Sequence, residues 1–201
     1  MVQTPIRQLT LDEFLALPDT KPASEYIDGE IIQKPMPQGQ HSILQIELGM
    51  EINQALRRKG IATAFSELRC SFGGRAIVPD LTVFEDARIP SKDNGDIENV
   101  FSIPPDWTIE ILSPEQSTTK VLKNINHCLA NGTQMGWLID PADRSVLVLG
   151  GSPIFQIIDE PTAIRTIDEP SSTLPVSEFA AAIELTVEQL FGWIKKKSQP
   201  E

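Results

Sequence analysis

Apolar residues along the chain switch between two spacings, and the switches mark out its elements. Over 41–59, Ile43, Leu44, Ile46, Leu48, Ile52, Ala55 and Leu56 recur at helical spacing, with Gly60 as a C-terminal cap. The same spacing predicts a helix over 119–131 through Val121, Leu122, Ile125, Cys128 and Leu129, closed by Gly132. Shorter helices are predicted at 9–17 and 186–196. The first opens on Thr10 as N-cap, Glu13 completing a capping box, and Pro18 stands beyond its end. Short apolar runs predict strands instead. Asp28-Gly29 turns a hairpin over 26–32. A strand over 62–71 leads through Gly73-Gly74 into another around Asp80. A further strand at 107–112 is stopped by Ser113-Pro114, and a second hairpin pairs 137–140 with 146–149. The tail adds a few short strands before the last helix. Between them, 86–105 is polar with three prolines, which predicts a long loop, mobile or functional. Strands and helices interleave without strict βαβ alternation, so the expected class is α/β (α+β), a mixed sheet flanked by helices.

Two of the apolar runs carry a carboxylate in the middle: Asp80 within 78–83 and Glu110 within 109–114. Burying an ionised carboxylate costs on the order of several kcal/mol unless a partner or a metal compensates it. Placed on neighbouring strands, with the main-chain carbonyl of Ile111 as a neutral third oxygen, the pair predicts a site for a hard divalent cation, Mg or Mn. Such an ion acidifies a bound water and neutralises charge building on a phosphate. Each residue also has a plainer role open to it. Asp80 after Pro79 suits a strand-end turn, and Glu110 suits a structural ion pair with Arg69 or Lys123. Taken alone, Glu25 and Glu30 are solvated hairpin positions, and His41 is a partly exposed residue at a helix start.

The 201 residues suit one domain, 1–201, with a core over about 9–193. Hydrophobic residues at 40% and charged residues at 22% exclude a globally disordered chain. The net charge of −11, from 17 Lys+Arg against 28 Asp+Glu, excludes a protein that coats nucleic acid non-specifically. It leaves room for a nuclease whose cation neutralises the site locally. Arg57-Arg58-Lys59 is the main basic cluster, and it suits a solvated helix end. No apolar run reaches membrane-spanning length, residues 1–5 lack the pattern of an export signal, and Cys70 and Cys128 make no disulfide framework. A cytoplasmic protein with buried thiols is expected. Trp107 and Trp137 are expected in the core or an interface.

The order of motifs adds to this picture. They are Glu25-Tyr26-Ile27-Asp28-Gly29-Glu30-Ile31, His41, Pro79-Asp80-Leu81, Glu110-Ile111-Leu112-Ser113-Pro114 and Gly136-Trp137-Leu138-Ile139-Asp140-Pro141. Together they resemble the Uma-two-like family of small bacterial proteins, within the restriction-endonuclease-like superfamily and its Pro-Asp … (Asp/Glu)-x-Lys signature. The resemblance covers most of 9–193. It implies an αβββαβ core, a metal held by Asp80 and Glu110, Glu25 and His41 at the edge of the site, and hydrolysis of DNA by a homodimer. The signature lysine two residues after the glutamate is Leu112 here. The lysine that the family supplies from the next helix falls at Asn124, which leaves Lys123, or Lys120, as the expected ammonium. The aromatic one turn further on is Cys128. This departure sets a Mg-dependent endonuclease against a catalytically inactive, dimeric interaction protein of the same fold. A phosphohydrolase of small nucleotides is a third expectation, suited to the acidic surface.

Overall fold

The computed structural model describes residues 9–114, 116–150 and 164–196. Residues 1–5, part of the predicted tail strands and the glutamate at 115 lie outside them. Helix α1 (Leu11–Leu15) carries both halves of the expected capping box: Thr10 Oγ1 accepts from the Glu13 N–H, and the Glu13 carboxylate accepts from the Thr10 N–H. Strands β1 (Ser24–Ile27) and β2 (Glu30–Gln33) form the first hairpin. Asp28 (φ 53°) and Gly29 (φ 91°) are both left-handed, as a two-residue turn of this twist requires. Helix α2 (Gly39–Ala55) buries a strict four-residue stripe, Leu44, Leu48 and Ile52, continued by Leu56. Ile46 lies off that stripe and is exposed. Gly60 (φ 64°) then turns the chain into β3 (Ala62–Ser66).

The run at 62–71 is not one strand. It breaks at Glu67, whose φ of 50° no hydrophobic pattern announces. Strands β4 (Cys70–Phe72) and β5 (Arg75–Ile77) follow, and β5 pairs with β1, building a four-stranded sheet of order β2-β1-β5-β4. Asp80 therefore stands on the connection between two sheets, one residue ahead of β6 (Leu81–Glu85). Then come β7 (Trp107–Ile111), α3 (Thr118–Ala130), β8 (Met135–Asp140), β9 (Ser145–Gly150), β10 (Ile164–Ile167) and α4 (Val187–Gly192). These strands and β3 make the larger sheet, of order β10-β9-β8-β7-β6-β3. Its β7–β8 pair is parallel because α3 is a crossover; its other pairs are antiparallel. The series α2-β3-β6-β7-α3-β8 is the αβββαβ core.

One face of the larger sheet packs Leu81, Val83, Trp107, Ile109 and Trp137 against the α2 stripe and the C-terminal Leu190 and Phe191. On the other, α3 lays Val121 and Ile125 onto Leu138 and Leu149. Gly136 of β8 makes this close approach possible, since a Cβ there would meet Ile125 Cγ2 at 2.2 Å. Trp107 and Trp137 meet edge to face at 4.7 Å in the core, as one of their two expected places. The 86–105 loop is packed: Phe101 is buried against Phe65 and Phe84, and Arg88 bonds to the Asp106 carboxylate and the Pro104 carbonyl. Among the described residues, no helix is long and apolar enough to cross a membrane.

Candidate active site

The register of β6 on β7 brings the two carboxylates together. Leu81 faces Ile109, Thr82 faces Thr108 and Val83 faces Trp107, so one further step sets Asp80 opposite Glu110. Residues opposed across an antiparallel pair project from the same face. That face lies under α3 and beside the smaller sheet. Both carboxylates are 3% exposed, and one ammonium joins them. Lys34 Nζ donates to Asp80 Oδ1 at 2.8 Å, Glu110 Oε2 at 3.2 Å and the Val78 carbonyl at 2.7 Å. An ammonium has three N–H donors, and all three are used. Lys34 leaves β2 directly before Pro35, which holds it extended and directs it back across the mouth of the site.

Each remaining group holds one of these in place. Asp80 Oδ2 accepts from the Ile111 N–H at 2.7 Å and lies 3.0 Å from His41 Nε2. One turn along α2, Gln45 donates to the Asp80 carbonyl at 2.8 Å, so the helix grips the residue by side chain and main chain. Glu25, buried on β1, accepts from the Val78 N–H at 2.8 Å and from Asn124 Nδ2 on α3 at 3.2 Å. Strands β1 and β7, the end of β2, the start of β6, and helices α2 and α3 thus converge on one point. His41 Nδ1 is buried with no partner among the described residues.

Burial and mutual charge divide the protonation states. Burial pushes the Glu110 carboxyl up to about 8, against the pull of the Lys34 ammonium. Burial also raises Glu25, with Lys34 opposing it. For Asp80, burial is outweighed by the Lys34 charge and the His41 hydrogen bond, which hold it below the usual carboxylate range. Burial would lower the Lys34 ammonium, but Glu110, Asp80 and Glu25 together raise it. The cluster thus keeps an ionised Asp80 on a charged Lys34 while burial favours the protonated form of Glu110.

Of the residues singled out from the sequence, Glu25, His41, Asp80 and Glu110 gather here. Ile111 is present too, in contact through its N–H; the carbonyl oxygen at the cluster is that of Val78. The expected ammonium of Lys123, or Lys120, is not at the carboxylates. Both side chains are exposed and line an outer cleft of about 700 Å³ with Glu25, Lys34 and Asn124. A one-residue step along α3 turns Lys123 away from the position that Asn124 points inward. Arg69, the other suggested partner of Glu110, pairs with Asp19 at 2.7 Å. The sequence did not single out Lys34, which lies 46 and 76 residues from its two carboxylates. Nor did it single out Gln45. Nothing local distinguishes Lys34 from the other basic residues; only the pairing of β1 with β5, which swings the hairpin over the sheet, brings it in.

On the chemistry of its donors the cluster suits a hard divalent cation. Two carboxylate oxygens and a carbonyl oxygen already surround one positive centre, as oxygen-seeking ions require. Among the described residues no three His, Cys, Asp or Glu side chains are grouped to cage a metal. A cation held here would therefore take two carboxylates and complete its shell with water and phosphate, the usual habit of magnesium. A second cleft, of about 920 Å³, reaches Lys34, His41 and Asp80 from the other side, past Arg69 and Phe101.

Comparison with known proteins bears on the family and the fold. A crystal structure of "a putative nuclease belonging to DUF820" from Anabaena variabilis ATCC 29413 is 53% identical, with a TM-score of 0.87 over 93% of this chain and 99% of that one. No curated protein matches the chain. Residues 11–188 match the Uma2 family, described as "Putative restriction endonuclease", and the chain belongs to that family.

Proposed function

We propose that the protein is a divalent-metal-dependent endonuclease that hydrolyses DNA phosphodiester bonds, with Asp80 and Glu110 as the metal-holding pair. The observation that carries the reading is the convergence of these two carboxylates, from adjacent strands, on a single positive centre. Membership of a nuclease family supports it. Magnesium or manganese bound there would supply charge for a phosphate and an acidified water. The chain's own groups then have distinct work. His41 and Gln45 fix Asp80, and Glu25 fixes the Val78 peptide with one oxygen while Asn124 holds the other. Lys34 supplies a positive charge beside both carboxylates, and Lys120 and Lys123 line the cleft through which a strand backbone would approach.

Titration with Mn followed by calorimetry tests the site. The wild-type protein should bind the ion and nick DNA, and Asp80→Ala should lose both. Binding left unchanged by the substitution would remove the site as drawn. One observation favours a second reading, a catalytically inactive dimeric interaction protein: Lys34 already occupies the position between the carboxylates. That reading expects a homodimer in sedimentation and no cleavage of single- or double-stranded DNA with either ion.

A further inference from the structure

The ammonium of Lys34 takes up the space in which a cation would sit, and its contacts are those of a bound ion. It has two carboxylate oxygens, one carbonyl oxygen, and no N–H left over. Its side chain is 13% exposed, so it seals the pocket as well as neutralising it. A divalent ion and this ammonium compete for the same oxygens of Asp80 and Glu110. The lysine has room to yield because it lines both clefts, of about 920 Å³ and about 700 Å³, so a rotated ammonium has open space on either side. Glu25 accepts from the Val78 N–H and from Asn124 Nδ2, and neither hydrogen bond involves the Lys34 ammonium. The pocket therefore keeps its walls when the ammonium leaves.

We propose that Lys34 is a built-in counter-ion that divalent metal displaces from Asp80 and Glu110, so the lysine sets how tightly the site takes metal. The proposal rests on the cation reading of the site given above. On displacement the ammonium stays tethered at the cleft mouth, beside the place of an incoming phosphate. In the metal-free protein it joins the two buried side chains and offsets the charge buried on Asp80. The arrangement selects for doubly charged ions, since a monovalent cation offers nothing that the ammonium does not.

Calorimetric titration with Mn alone, on wild type, Lys34→Met and Asp80→Ala, tests the inference. Lys34→Met should bind Mn about 10-fold tighter than wild type, because no ammonium has to be displaced. Its metal-free form should melt lower than wild type and gain more from added Mn. Binding by Lys34→Met that is equal to or weaker than wild type, with Asp80→Ala not binding, overturns the displacement and leaves the metal site standing. No binding by any of the three overturns both. A second measurement needs no variant. Acylation of amines on the intact protein, read at Lys34 by mass spectrometry, should be slow without metal and several-fold faster at saturating Mn. Labelling of Lys34 that stays the same or falls on adding Mn sinks the proposal even if Lys34→Met fails to fold.

Discussion

Asp80 and Asp106 are both buried carboxylates at the edge of a strand, and their partners give them different work. Asp106 accepts from the Glu85 N–H at 2.8 Å and from Arg88, so it staples the packed loop to β6. It has its own arginine, and nothing in it is held in reserve. Asp80 and Glu110 share one lysine between two carboxyl groups, and the deficit falls on Glu110, pushed up to about 8 by burial. The folded protein thus holds a proton on Glu110 that the unfolded chain, with an ordinary value of 4.5, releases much earlier. A raised carboxyl contributes stability below the unfolded value and loses it as pH climbs to the folded one. Between pH 4.5 and 8 this residue therefore makes the protein less stable as pH rises. Glu25 works in the same direction. Asp80 and Lys34 act outside that window: the first adds stability that is lost only in acid, the second adds stability lost only in strong base. In EDTA, the melting temperature of wild type should fall from pH 5 to pH 8, and Glu110→Gln should fall less. Parallel curves for the two proteins would mean that Glu110 is ionised throughout.

At the level of elements, what could be read from the sequence followed from local spacing, and what could not depended on distant contacts. The capping box at Thr10 and Glu13, the Asp28-Gly29 turn, the 107–112 strand and the α3 pattern all lie within a few residues, where periodicity and turn chemistry act. Asp80 and Glu110 were legible because a charge in an apolar run is anomalous wherever the run ends up. The β3–β4 break was not legible, because a left-handed glutamate costs little enough for packing to impose it. Lys34 was hidden for a related reason. Its neighbours Gln33 and Pro35 are exposed, and its partners are set by a strand pairing that no window of sequence contains. Element packing also tunes the site from a distance. Gly136 lets α3 sit close to β8, and α3 carries Asn124 onto Glu25. Gly136→Ala forces Ile125 and its helix outward, an overpacking cost of about 1–3 kcal/mol. Urea denaturation should show a loss of that size, and metal affinity should weaken alongside it as Glu25 loses its amide partner. Full stability in Gly136→Ala would show that α3 can shift without strain.

For the molecule as a whole, charge and site pull in opposite directions. A net charge of −11 repels a polyanion, and the basic cluster Arg57-Arg58-Lys59 lies at the far end of α2 from His41. Near the carboxylates, the exposed cations of the 700 Å³ cleft are chiefly Lys120 and Lys123. On the proposed reading, nucleic acid would therefore find few lysines and arginines to neutralise its phosphates, and its main attraction would be a cation bound between Asp80 and Glu110. That arrangement has a thermodynamic signature. Each phosphate neutralised on a single strand contributes about −0.7 to the slope of log K against log salt. Two lysines in contact predict a slope no steeper than about −2 for an oligonucleotide resistant to hydrolysis, measured by fluorescence anisotropy with Mn present. Removing Mn with EDTA should abolish binding at every salt concentration, since the remaining surface is repulsive. A slope near −4, or binding that survives EDTA, would mean that DNA is held by an extended basic surface, and that the acidic pair under Lys34 is not where the strand is recognised.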